Sequence, residues 1–321
     1  MNVRRRLIPA ATLTAVTALG FGTLTGCAGD SAAAGNTEKF DVVASFYPMA
    51  FLAEQIGGDH VNVTSLTQPG QEPHDLEISA KQTAQLEETD AALYLKGLQP
   101  SVDEAIGQSG VKTKIDAATL TSLEEHGTET GDHAGEHEGH DHAHEGESGK
   151  DPHIWLDPVK YAEVAEGVGA AFEKADPDHA ADYQKNTEAL VKKLTGLDAE
   201  FRTGLENRDT DVFITTHSAF GYLAERYGLI EESITGLDPE SEPSGARVKE
   251  LSQMAKEDGV NTVFYETLVS DKTAKTLAND AGLKTDVLDP VEGITDTSRG
   301  DDYFQVMEAN LKALRSALGA K

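Results

Sequence analysis

The sequence predicts an α/β protein of two lobes, each built on a parallel-type sheet, bridged by one long rigid helix. Three observations predict it. Short β-branched runs alternate with amphipathic stretches, as in βαβ units with helices on both sheet faces. The alternation occurs twice, on either side of one long apolar stripe. The 321 residues also leave room for it, since they allow one large or two modest domains.

Residues 1–26 read as a lipoprotein signal peptide. Arg4, Arg5 and Arg6 precede a short apolar run that ends at Leu24-Thr25-Gly26-Cys27. A charged start, an apolar middle and small residues before a cut describe an export signal, too short and too badly flanked for a permanent span. Leu-Thr-Gly-Cys resembles a lipobox, which implies that Cys27 is acylated and anchors the chain outside the cytoplasm at the bacterial cell membrane. Residues 27–38, small and polar, form a flexible leash. Cys27 is the only cysteine, so internal disulfides and thiolate metal clusters are excluded.

The N-terminal lobe is placed at 39–178. "FDVVASF" and "HVNVTSL" are strand-like, and "YPMAFLAEQIGG" between them is helical and ends on Gly57-Gly58. "AALYLKG", "SVDEAIGQSG" and "VKTKID" continue the rhythm as strand, helix and strand. The linking helix is placed at 179–207. Ala180, Tyr183, Thr187, Leu190, Leu194, Leu197, Phe201 and Leu205 recur at steps of three or four and form one stripe. At about 1.5 Å per residue, 179–206 makes a rod of roughly 40 Å. The C-terminal lobe, 208–321, alternates again through "DVFITT", "AFGYLAERYGL", "EESITGL", "SGARVKELSQMAKEDG", "TVFYE", "DKTAKTLANDAG" and "KTDVLDP" to a helix near Tyr303–Leu318. Asp271 reads as an N-cap, and Gly259 and Gly282 as helix stops.

The formal charge is −29, which speaks against nucleic acid and against a basic patch for anionic headgroups. Six of the 11 histidines fall in one tract: His126, His133, His137, His140, His142 and His144. Residues 124–149 hold these six and nine acids with almost nothing apolar, too little to bury a core. Acids alone would solvate such a loop, so the histidines point to metal handling, and a bland tether is the competing reading.

His60, in a turn, and His179, opening the long helix, read as surface residues. His74 lies in a Pro- and Gly-bounded loop after a strand. His153 sits between two Asp-Pro dipeptides, and His217 follows a central strand. In open α/β sheets ligands bind at the carboxyl ends of strands. Each of the three has an ordinary structural explanation alone, and together they are placed to converge on one ion.

"PGQEPHDLEIS", "KDPHIWLDP", "FITTHSAFGYLAERYGL" and "VLDPVEGIT", in this order, resemble the metal-binding solute receptors of ABC importers, and most nearly their zinc-uptake branch. The resemblance runs from about Phe40 to the C-terminus. It implies two lobes bridged by a helix, with the ion in the cleft between them. It further implies His74, His153 and His217 as ligands to a transported Zn²⁺, with an ABC permease and its ATPase as partners. The fourth position varies in the family: Glu292 is favoured here, Asp289 is the alternative, and water a third option. The manganese branch typically carries Glu at the position of His217, and manganese prefers more oxygen. A manganese or iron receptor of the same family, or a metal-buffering or adhesin lipoprotein, are the alternatives. Asp75, Asp151, Asp157 and Glu266 are candidates to orient the imidazoles. The tract, on this resemblance, collects zinc weakly ahead of His153, and the chain is expected to act as a monomer.

Catalysis is not expected. The histidine tract contains neither H-E-x-x-H nor H-x-H-x-D-H, and there is no G-x-S-x-G or nucleophilic cysteine. A site of three His and a carboxylate is also closed, whereas catalytic zinc keeps an open position. Deleting residues 126–147 should remove low-affinity zinc sites and leave a tight one. Calorimetry checks this: loss of the tight site would make the tract a source of primary ligands.

Overall fold

A computed structural model describes residues 39–126 and 149–321. Cys27, the expected signal and leash, and His133, His137, His140, His142 and His144 lie outside the described residues. Two four-stranded sheets carry the fold, and every pairing in them is parallel. The first contains β1 (Phe40–Ala44), β2 (Val61–Ser65), β3 (Ala91–Tyr94) and β4 (Thr113–Asp116), in the order β2-β1-β3-β4. The second contains β5 (Val212–Thr215), β6 (Ile230–Ser233), β7 (Thr262–Tyr265) and β8 (Lys284–Val287), in the order β6-β5-β7-β8. In each sheet the chain winds to one edge and then returns to the other side of its first strand. That reversal opens a crevice at the carboxyl ends of β1 and β3, and of β5 and β7.

The local sequence explains the layers. Central β3 and β5 are buried almost throughout because helices cover both faces, whereas edge strand β2 alternates buried and exposed residues. The flanking helices are α1 (Tyr47–Gly57), α2 (Ala80–Glu88), α3 (Pro100–Gln108), α4 (Pro158–Ala175), α5 (Ala180–Gly204), α6 (Gly221–Tyr227), α7 (Gly245–Glu257), α8 (Lys272–Ala281) and α9 (Tyr303–Leu318). Gly259 and Gly282 stop α7 and α8 with φ of 70° and 73°. Asp271 holds the N-cap position of α8, but its carboxylate pairs with Lys275 and caps no N–H.

The long helix is α5, 25 residues and roughly 37 Å at about 1.5 Å per residue. Its buried side chains are Tyr183, Thr187, Leu190, Leu194, Leu197 and Phe201, the central members of the stripe. It packs against α1 and α4 of the first lobe and α9 of the second, so both lobes touch it. Two of these helices, α2 and α4, are not anticipated by the strand-helix pattern. Asp157 begins α4 by accepting the Val159 N–H at 2.9 Å.

One apolar core runs from Phe40 to Leu318 and crosses from lobe to lobe. Phe51 of α1 meets Tyr303 and Phe304 of α9 at 5.5 and 5.9 Å between ring centres. The Tyr303 hydroxyl donates to the Trp155 carbonyl, and the Trp155 indole N–H to the Pro290 carbonyl, both at 2.6 Å. Two smaller clusters, around Leu251 and Val263 and around Leu86 and Val102, lie under the other face of each sheet. Among the described residues no helix is long and apolar enough to cross a membrane.

Gly169 marks the tightest approach of α4 to α5. A Cβ there would lie 2.3 Å from Thr187 Oγ1 and 3.1 Å from its Cβ, and buried Thr187 cannot swing away. Gly169→Ala gains about 1 kcal/mol of helix propensity but overpacks at a cost of about 1–3 kcal/mol. A net loss of stability is expected in urea unfolding. A rise in midpoint would mean that the two helices separate easily.

Candidate metal centre

Each site residue is delivered by a separate piece of backbone. His217 stands two residues beyond β5, at the crevice where the second sheet reverses, and Glu266 follows β7 on the other side of that crevice. His153 follows Asp151-Pro152, and Asp151 Oδ1 accepts its backbone N–H at 2.9 Å. His74 lies in the loop after β2, where Glu72 accepts its backbone N–H at 3.1 Å. Glu292 comes from the loop after β8. Val291 before it has φ of 59°, a conformation that β-branched residues rarely adopt and that costs roughly 1–3 kcal/mol.

Asp289 holds that strained turn. Its Oδ1 accepts the Val291 N–H at 2.8 Å and its Oδ2 the Thr267 hydroxyl at 2.8 Å. Asn310 clamps the Asp289 backbone from α9, accepting its N–H and donating to its carbonyl. Its carboxylate is therefore engaged in the turn and outside the cluster of possible ligands. Burial, then the charges of Glu292 and Glu266, push Asp289 up to about 6 against the hydrogen bonds it accepts.

The cluster consists of His74, His153, His217 and Glu292, with one ligand atom from each within 4.8 Å of all the others. Glu292 Oε1 lies 3.2 Å from His74 Nε2, 3.4 Å from His153 Nε2 and 3.8 Å from His217 Nε2. The Nε2 atoms of His153 and His217 are 3.4 Å apart. Zinc bound tetrahedrally at about 2.0–2.1 Å separates its ligand atoms by about 3.3–3.4 Å. The four separations, 3.2 to 3.8 Å, lie around that edge length, and three imidazole nitrogens with one carboxylate oxygen are donor types that zinc takes.

Two carboxylates stand behind the rings. His153 Nδ1 lies 2.7 Å from Asp151 Oδ1, and His217 Nδ1 lies 2.6 Å from Glu266 Oε1. An ionised carboxylate only accepts, so Nδ1 carries the proton and Nε2 is the nitrogen that faces the centre. Burial disfavours a charged His153, but Asp151 and Glu292 outweigh it and push the ring up to about 10. His217 is likewise raised, by Glu266 against burial. Burial also opposes ionisation of Glu292, and His74, His153 and His217 overcome it, holding the carboxyl well below its ordinary range.

Of the other candidates, Asp75 is exposed at the rim, and Asp157 caps α4 and pairs with Arg226 at 2.6 Å. His60 and His179 are half-buried where exposure was expected. Their rings stack at 4.1 Å, and they pair with Asp182 and Asp176 away from the cluster. His126 is also outside it. The orienting pair, Asp151 and Glu266, shared their candidacy with two bystanders; only the strand end after β7 and the two-residue spacing from Asp151 to His153 mark them in sequence.

Residues 42–317 match the family model of ZnuA, the periplasmic zinc-uptake complex component A. The chain belongs to the ZnuA family. Its relatives include the high-affinity zinc uptake system protein ZnuA of Bacillus subtilis, 38% identical over 290 residues, covering 88% of this chain and 89% of that protein. The zinc-binding lipoprotein AdcA of Streptococcus pneumoniae is 36% identical over 287 residues, which cover 86% of this chain. This chain spans only 55% of that protein's length, about half, as with several of the curated relatives it matches. The crystal structure of the Zn(II)-bound ZnuA-like domain of S. pneumoniae AdcA superposes with a TM-score of 0.70 at 34% identity, over 87% of this chain and 99% of that one. Two parallel-sheet lobes and a long helix are thus the architecture of this ZnuA-family chain.

The geometry orders a set of substitutions. Asp151→Asn and Glu266→Gln should each weaken zinc binding by about 10–100-fold, through loss of ring orientation. Glu292→Gln should cost more than either. Asp289→Asn should cost least, because an amide still accepts the Val291 N–H and can donate to Thr267. Competition with a fluorescent chelator checks the order, and an Asp289 effect larger than that of Glu292 would transfer the ligand role to Asp289.

Proposed function

We propose that this chain is an extracytoplasmic receptor that captures Zn(II) through His74, His153, His217 and Glu292 and delivers it to an ABC permease and its ATPase. It is a monomer held at the membrane by a lipid on Cys27, with the lobes at 39–178 and 208–321 and the linking helix at 179–207. The observation that carries this reading is the convergence of three Nε2 atoms and one carboxylate oxygen within 4.8 Å of one another, in a cysteine-free cluster whose His153, His217 and Glu292 are buried. Three nitrogens and one oxygen suit zinc better than manganese, for which oxygen ligands and a higher coordination number are preferred. Membership of the ZnuA family supports cargo binding over catalysis, since the ligand set leaves a tetrahedral ion no position for substrate.

The route in is short. A cavity of about 520 Å³ is lined by His74 together with Lys96, Asp116, Lys150, Pro152 and Asp238. His74 is the one ligand of the four that is only half-buried, so an ion enters or leaves past its ring. The shared core between the lobes favours closure by these loops over a wide hinge motion.

Binding must displace protons. His153, with its pKa near 10, is charged at neutral pH without metal, and a ring ligates only after Nε2 loses its proton. Because the ring titrates above the working pH, apparent zinc affinity should rise with pH from 6 to 8, by about tenfold per pH unit for each proton released. Calorimetry in buffers of different ionisation enthalpy should count at least about one proton released per zinc. A count of zero would contradict the ligand assignment. In a strain lacking its own zinc receptor, the chain should restore growth in zinc-depleted medium, and His217→Ala should not. Restored growth with the His217→Ala protein would sink the receptor reading.

A further inference from the structure

Apart from the central cluster, the described residues contain one other group able to hold a metal ion: Glu124, His126 and Glu225, again within 4.8 Å of one another. We propose that these three form an outer, exchangeable zinc site that shares the Asp151 carboxylate with the inner one. The proposal rests on the receptor reading above and extends it to where the cation first lands.

Asp151 is fully buried and faces two imidazoles. Its Oδ1 lies 2.7 Å from His153 Nδ1, and its Oδ2 lies 3.1 Å from His126 Nδ1. Each ring therefore has the same carboxylate behind it and presents Nε2 away from it, the arrangement that prepares histidine for a metal. His126 Nε2 faces Glu225 Oε2 at 3.0 Å. Exchanging the intervening proton for zinc opens that pair only to about 3.3 Å. Glu124 is held by Lys160 at 2.9 Å, and Lys160 keeps the Ser122 carbonyl and hydroxyl if zinc takes the carboxylate away.

The pocket for this ring is built in. Gly221 lies against it, and a Cβ there would fall 2.4 Å from His126 Cβ and 3.0 Å from Asp151 Oδ2. Any side chain at 221 would drive His126 off the shared carboxylate. The Tyr222 ring, 4.4 Å away, flanks the imidazole edge-on. Glu124 and Glu225 have side-chain exposures of 42% and 58%, so the site is open, lacks a fourth protein ligand and exchanges its ion quickly. The inner site, buried and four-coordinate, does the opposite. A cation on His126 also strengthens its pull on Asp151, which leaves Oδ1 a poorer acceptor for His153. The two occupancies therefore oppose each other, and by linkage the outer ion is released as the inner site fills.

The test uses the full chain with His133, His137, His140, His142 and His144 replaced by Asn, titrated with Zn(II) by calorimetry. One tight and one weak equivalent are expected. Glu225→Gln or His126→Asn in that background should abolish the weak equivalent, and Glu225→Gln should leave the tight one within about twofold. With the inner site disabled by His217→Ala, the outer site should bind zinc several-fold more tightly than it does beside a filled inner site. No weak equivalent, or one that survives both substitutions, overturns the outer site. Loss of the tight equivalent in the unsubstituted protein counts against the receptor reading instead, and the weak equivalent is still scored separately by its response to Glu225→Gln.

Discussion

Glu292 buries a carboxylate among three imidazoles, and a charge so removed from water survives only where positive charge meets it. Protons on the rings meet that need without metal, and a divalent ion meets it better. The balance fixes much else. The carboxylate reaches the rings only from a turn with Val291 at positive φ, and that turn is held by Asp289, Thr267 and Asn310. The rings of His153 and His217 in turn point inward because Asp151 and Glu266 stand behind them. Taking away one of the four side chains would leave buried polar groups of the others without a partner, the costly case for any interior.

Support for this cluster comes from both lobes at once. Glu292 and His217 belong to the second sheet, His74 to the first, and His153 to the segment that enters α4. Relative motion of the lobes would pull these apart, and the shared core around Phe51, Trp155 and Tyr303 resists it. The cavity opens on the loop that carries His74, at the edge of the cluster.

What sequence conveyed follows from period and position. The stripe on α5 and the β-branched runs are local patterns, so the linking helix and the central strands were legible residue by residue. His74 and His217 stood out in loops that follow strands and His153 between two Asp-Pro dipeptides, and the family resemblance turned their possible convergence into a ligand set. Asp289 and Glu292 could not be separated by spacing, since the choice depends on Val291 adopting a left-handed conformation that no local pattern announces. The same holds for α4: its apolar face is broken by Gly167 and Gly169, which serve contact with Leu120 and Thr187 and not helix propensity. His60 and His179 looked like surface residues and turned out half-buried, because stacking of one ring on the other depends on a contact between distant segments.

The core that joins Phe51 to Tyr303 and Phe304 also has a temporal side. Ribosomes make α1 well before α9, so the part of the apolar layer that rests on Tyr303 and Phe304 stays open until α9 has been made. Parallel sheets add to the delay, because every strand pairing waits for the crossover between its partners. Phe51 and Tyr303 lie about 250 residues apart, so closing this core carries the loop-closure cost of its longest-range contacts, which sets its pace more than helix formation does.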